Sequence, residues 1–198
     1  MHSKRRVLST FTLAAFVTLL PSLSTAQTTE GTRSARVAHV STITILNFGQ
    51  VNANYYRGGE PKDGDYAALA ALGIRTVIAL RPAESNDQEA RLVEAAGMTF
   101  HRIAMHSEVA PTLEHVAEFM TIVSDPARQP VYVHCSGGKH RTGAMTAVYR
   151  MEHDGWTADQ AYQEMTQYGF GPSIWHRELK DFVYRYRPLG KYGSSAPR

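Results

Sequence analysis

Thirteen residues, Val131 to Gly143 (VYVHCSGGKHRTG), leave this chain few architectural options. The short β-branched and aromatic run through His134 reads as a strand buried on both faces, which is how strands look inside parallel sheets. Two glycines follow almost at once, and a helical pattern starts near Thr142. Strand, tight loop and helix in that order make a β-α unit. The rest of the chain repeats the alternation. Helices are expected over 63–72, from Asn86 or Asp87 to Ala96, from Pro111 through Val123, and over 142–153, 157–168 and 173–186. Strands are expected over 74–80, 98–105 and 130–134. Residues 37–48 alternate loosely and are expected as an edge strand, and YYRGGEP, with Gly58, Gly59 and Pro61, reads as a turn. The predicted fold is α/β, a three-layer α/β/α arrangement around a mainly parallel central sheet.

Before that core comes a different kind of sequence. Lys4, Arg5 and Arg6, an apolar stretch from Phe11 to Leu20, and the small residues Ser24-Thr25-Ala26 match the three regions of an export signal. Residues 1–26 are therefore expected to be a signal peptide, 27–36 a flexible segment, 37–190 one folded domain and 191–198 a flexible tail. On this reading the protein is exported, periplasmic or secreted, and makes no membrane contact once the signal is cleaved. The 21 Lys and Arg exceed the 18 Asp and Glu only because the first 26 residues carry three bases and no acid. The balanced remainder gives no reason to expect nucleic acid. Oligomeric state is not legible.

Charge is uneven in one place. No carboxylate lies between Asp125 and Glu152, whereas Arg128, His134, Lys139, His140, Arg141 and Arg150 all do. Into this stretch falls Cys135, the single cysteine of the chain, which can form no internal disulfide. In open α/β sheets ligands bind beyond the carboxyl ends of the strands, and here those ends are Leu80-Arg81, Met105-His106 and His134-Cys135. The amides of Ser136, Gly137, Gly138, Lys139, His140 and Arg141 have neither ladder nor helical partners. They can curl into an anion-binding nest at the positive end of the next helix. That field lowers the pKa of Cys135 from its free value of about 8.5. Arg141, with five residues between it and the cysteine, can fork onto two phosphate oxygens, and the Thr142 hydroxyl can stabilise the sulfur. His134 is expected to fix the loop through a backbone hydrogen bond.

HCSGGKHRTG resembles the signature of the cysteine-based protein tyrosine phosphatase superfamily: His-Cys, five residues, then Arg-Ser/Thr. The GKHRTG ending is similar to the atypical dual-specificity phosphatases of plants and fungi, many of which look like inositol pyrophosphate phosphatases. YYRGGEP, LGIRTVIALR and GWTADQAYQEM are also similar to stretches of that group, so the resemblance covers most of residues 55–187. It implies a protein tyrosine phosphatase-like fold and two-step hydrolysis through a phosphocysteine, with no metal or other cofactor. The implied substrates are phosphotyrosine-type proteins or inositol polyphosphates and pyrophosphates. Competing readings are an inert turn, a rhodanese- or arsenate-type cysteine loop, and a module that binds phosphorylated partners without turnover.

The chain departs from that group in one respect. Its members usually carry an aspartate about thirty residues before the cysteine as general acid, and here no aspartate occurs from Gln88 to Ser124. The expected loop reads HSEVAP, which offers Glu108 as acid and His106 as an alternative acid or phosphate contact. A leaving phosphate with a pKa near 6 needs a proton less than a phenol with a pKa near 10, so a weak acid favours anhydrides. Lys139 and His140 lean the same way, toward polyphosphorylated guests. Arg81 is a further candidate contact. His176, Arg177 and Lys180 are expected on a solvated helix face, and Trp156 and Trp175 in packing.

Overall fold

A computed structural model describes residues 43–84, 88–171 and 176–190. The expected signal, the N-terminal segment, the C-terminal tail, Trp175 and the expected caps Asn86 and Asp87 lie outside these residues. The sheet contains β1 (Gly49–Asn52), β2 (Tyr55–Gly58), β3 (Thr76–Ala79), β4 (Thr99–Arg102) and β5 (Val131–His134). Their spatial order is β1-β2-β5-β3-β4, and all neighbours run parallel except the β1–β2 hairpin. The helices are α1 (Asp65–Ala71), α2 (Gln88–Ala95), α3 (Leu113–Val123), α4 (Arg141–His153), α5 (Ala158–Gln167) and α6 (Arg177–Arg185). No described helix is long and apolar enough to cross a membrane.

The predicted three-layer architecture is present, with two corrections near its start. The described edge strand lies at 49–52; of the expected strand 37–48, residues 37–42 lie outside the described residues, and 43–48 form irregular chain and a turn in which Asn47 takes φ 53°. YYRG, expected as a turn, is a strand buried at every position. A smaller adjustment concerns α3. Its N-cap is Thr112, which accepts from the His115 amide in a capping box, so Pro111 precedes the helix instead of opening it.

Strand alternation divides the core. Tyr55, Val131 and Val133 face α3, α4, α5 and α6, whereas Tyr56, Val77 and Tyr132 face α1 and α2. Each fully buried Val, Leu, Ile, Phe or Met contributes roughly 1.5–3 kcal/mol relative to its exposed state. Helix α4 is enclosed almost all round, with residues 141–149, 151 and 152 buried, as befits a helix with sheet and other helices packed about it. The same period-2 rule governs the end of β5. His134 falls on the α1–α2 side, stacked on Tyr132 with ring centroids 5.7 Å apart, and Cys135 falls on the α4 side.

Candidate active site

Cys135 lies at the carboxyl end of the central strand, directly before the loop that leads into α4, and is only 2% exposed. The loop's carbonyls are held away from the sulfur, one after another. The Glu60 amide donates to Ser136 O (3.2 Å), Asn47 Nδ2 to Gly137 O (2.7 Å), Arg57 Nη2 to Gly138 O (2.7 Å) and the Gly143 amide to Lys139 O (3.2 Å). Gly138 has φ +67°, and a Cβ there would come within 2.4 Å of the Gly58 carbonyl carbon. Only glycine lets the loop press this closely on β2. His140, the N-cap of α4, supplies no side-chain cap, so the first-turn amides and the positive end of the helix stay open to an anion.

Burial pushes the Cys135 thiol up. The Thr142 hydroxyl, the amides of Thr142 and Gly138 and the positive charge of Arg141 more than offset it, and the net shift is downward. Arg141 is 8% exposed. Its Nη1 donates to Met105 O (3.1 Å) and its Nη2 to Ser136 Oγ (3.3 Å), while Nε has no hydrogen-bond partner among the described residues. The cysteine sulfur, the loop amides and the guanidinium therefore lie together at one strand end.

His134 does not bond the backbone as expected. Its Nε2 lies 2.8 Å from Glu89 Oε1 on α2, and Glu89 also accepts from the Tyr66 hydroxyl (3.3 Å). Both groups are enclosed, His134 fully. Burial raises the Glu89 pKa, but His134, Arg81 and the Tyr66 hydroxyl together lower it by more.

The remaining candidates divide. Lys139 is exposed, its stem lying across Gly169. His140 is no second cation: burial and the neighbouring His176 push its pKa down to about 4, and its ring stacks on His176 at 3.4 Å between centroids. Arg81 is ion-paired to Glu60 and lines a separate cavity of about 270 Å³ with Tyr66 and Glu89, away from Cys135. Arg128 pairs with Asp125 and Arg150 with Glu164 and Asp154, so both charges have carboxylate partners of their own.

Glu108 and His106 sit exposed on the segment between β4 and α3. The Glu108 carboxylate takes a hydrogen bond from Ser107 Oγ, which, with smaller effects of His176 and Arg141, lowers its pKa. His176, expected on a solvated face, instead donates from Nδ1 to Ser107 O (3.1 Å). Arg57, Glu89 and Asn47 also escaped the sequence reading. The signal for Arg57 was its place between Tyr56 and Gly58 in a strand mistaken for a turn.

Geometry of this kind, a cysteine in an amide-lined loop with an arginine six positions on, defines a cysteine-dependent phosphatase-type α/β protein. Residues 33–179 match the family model described as DSP-PTPase phosphatase fused to NAD+ kinase, and the chain belongs to that family. It is 31% identical over 109 residues to inositol diphosphatase DSP2 of Oryza sativa subsp. japonica, covering 53% of each protein. It is 26% identical over 138 residues to the dual specificity protein phosphatase TpbA of Pseudomonas aeruginosa, covering 70% of this chain and 62% of TpbA. The chain spans about half the length of the first relatives it matches, DSP2 and the yeast inositol diphosphatase SIW14. The catalytic core of Saccharomyces cerevisiae Siw14, solved with citrate, superposes with a TM-score of 0.64 at 23% identity over 73% of this chain and 88% of that one. At that identity the likeness is one of fold.

Proposed function

We propose that this chain is a metal-independent phosphatase that works through a phosphocysteine intermediate. The observation that carries the reading is the Cys135 sulfur, buried yet acidified by the Thr142 hydroxyl and by amides of its own loop. In the first step the thiolate attacks phosphorus. The bond to the leaving oxygen breaks and its electron pair stays on that oxygen. The amides of residues 136–141 and the Arg141 fork hold the three equatorial oxygens, and Thr142 steadies the sulfur. Water then attacks the phosphocysteine, the S–P bond breaks with its electron pair returning to sulfur, and inorganic phosphate departs. An aryl phosphate should give a burst of phenol that Cys135→Ser abolishes. A native protein that binds phosphate but shows no burst is a binding module instead.

Within that activity we favour phosphoanhydrides of the inositol pyrophosphate kind over phosphotyrosine. Glu108 supports this choice: a carboxyl held below its ordinary pKa is mostly ionised at neutral pH and donates poorly to a departing phenolate. Relatives described as inositol diphosphatases point the same way, and Lys139, exposed on the loop, suits a second phosphate. Comparing kcat/KM for an inositol pyrophosphate and a phosphotyrosine peptide tests the choice. A peptide preference of tenfold or more reverses it.

A further inference from the structure

Arg57 is a charge in an unlikely place. It occupies the third position of β2, is completely buried, and lies on the same face of the strand as Tyr55. Its guanidinium carbon sits 3.9 Å over the Tyr168 ring, and Nη2 donates to the Gly138 carbonyl at 2.7 Å. Nε and Nη1 have no hydrogen-bond partner among the described residues. Tyr168 is wedged in turn: a Cβ on Gly49 would lie 2.0 Å from its hydroxyl oxygen. Glycine in β1 thus makes room for the ring that covers the guanidinium, and the guanidinium holds the carbonyl of the loop's left-handed residue.

A buried guanidinium without a carboxylate partner is costly unless an anion compensates it. The ionisable groups whose fields reach Arg57 are Tyr55, Tyr168, Glu164 and Cys135. Tyr55 is a phenol whose burial raises its pKa, so it stays neutral. Glu164 is already held by Arg150 at 2.6 Å. Tyr168 meets the guanidinium with the face of its ring, which leaves the sulfur as the remaining counter-charge. Facing the sulfur from the other elements are Thr142 and Arg141 of α4 and the Gly138 amide.

We propose that Arg57 is a positioning residue for the nucleophile: it fixes the Gly138 peptide so that its amide faces the sulfur, and its unpartnered charge is balanced by the Cys135 thiolate and by bound phosphate. The inference rests on Cys135 being the nucleophile, but its test reads the sulfur itself. Alkylation of the native thiol by iodoacetamide is followed from pH 4 to 10, alongside thiolate absorbance at 240 nm, in the intact chain without substrate. Arg57→Met should move the thiolate midpoint to higher pH, so that alkylation at pH 6 slows about tenfold or more, one pKa unit, while the limiting rate at high pH is unchanged. Arg57→Lys should restore most of the midpoint by restoring the charge. Inorganic vanadate should bind Arg57→Met at least tenfold more weakly. Should Arg57→Met fail to fold, Tyr168→Leu, which uncovers the guanidinium, should shift the midpoint upward by a smaller amount. A folded Arg57→Met, or failing that a folded Tyr168→Leu, with the native midpoint overturns the proposal. A shifted midpoint in a protein that turns over no phosphate would leave the Arg57 role standing and remove the phosphatase reading.

Discussion

Two loops meet at the candidate site, and they are built in opposite ways. In residues 136–139 every carbonyl is tied to a partner outside the ring, from Asn47, Arg57, Glu60 and the first turn of α4. The segment from Met105 to Thr112 is tethered near its root by Arg141 at Met105 O and by His176 at Ser107 O, and beyond those points it presents Glu108 and Val109, the latter 58% exposed. The half of the site proposed to handle phosphate is held by these bonds at every carbonyl. The half that would handle the leaving group is only anchored. Such a division suits a substrate whose leaving group needs little help, because preorganisation is spent where charge develops on the phosphoryl oxygens.

The comparison breaks most visibly at Arg141, which serves both loops. Arg141→Lys keeps the charge but loses the planar fork and with it the joint hold on Met105 O and Ser136 Oγ. Turnover of an aryl phosphate should fall about 10²–10³-fold, the range for loss of one preorganised donor, with the circular dichroism spectrum and melting temperature little changed. A loss below tenfold would show that the amide ring alone binds the transition state.

Smaller, and read as stability, is the effect of the support behind the phosphate loop. Glu89→Gln removes the carboxylate that faces His134 at 2.8 Å and accepts from Tyr66. The loss should be about 1–3 kcal/mol at pH 7, the usual range for an unsatisfied buried polar group. Because the Glu89 pKa is lower in the folded state than in the unfolded one, its contribution is complete above the unfolded value of about 4.3 and is lost as pH falls through the folded value. Urea midpoints of native and variant should therefore differ at pH 7 and converge in acid. A constant difference down to the acid limit would place the stabilisation in packing rather than in the ionised carboxylate.

The two loops also differ in how far they could be read from the sequence. Strand, glycine loop and helix are consecutive at 131–153, so local pattern alone placed Cys135, Arg141 and Thr142 together. The partners that hold the loop come from Asn47, Arg57, Glu60 and Glu89, 45 to 90 residues away, and their arrival depends on strand order and helix register. Arg57 was hidden by its own strand. A positive charge followed by two glycines reads as a turn, and only the paired tyrosines before it hinted at burial. The described part of the expected edge strand failed for a similar reason: residues 43–48 alternate in hydropathy but close into a turn at Asn47, whose side chain is spent on Gly137 O. His176 was set aside as solvated because nothing in a sequence announces that a helix N-terminus will stack on a distant histidine.

The least effect is expected at Glu108, and it bears most directly on what the second loop is for. A well-placed general acid contributes about 10²–10⁴-fold. Here the carboxyl is exposed, receives the Ser107 hydroxyl and is held below its ordinary pKa, all of which favour the ionised form that cannot donate. Glu108→Gln should therefore slow an aryl phosphate with a poor leaving group by less than about tenfold and leave an inositol pyrophosphate unaffected. Rates across pH 4 to 8 with phenyl and p-nitrophenyl phosphate separate the cases, since only a true proton donor makes the poorer leaving group suffer more. A 10²-fold loss confined to phenyl phosphate would show that the loop closes to complete the acid half, and would turn the substrate preference back toward phosphotyrosine. Native rates of Glu108→Gln on both esters at every pH would remove Glu108 from the chemistry and leave the proposed phosphate-holding loop to account for catalysis alone.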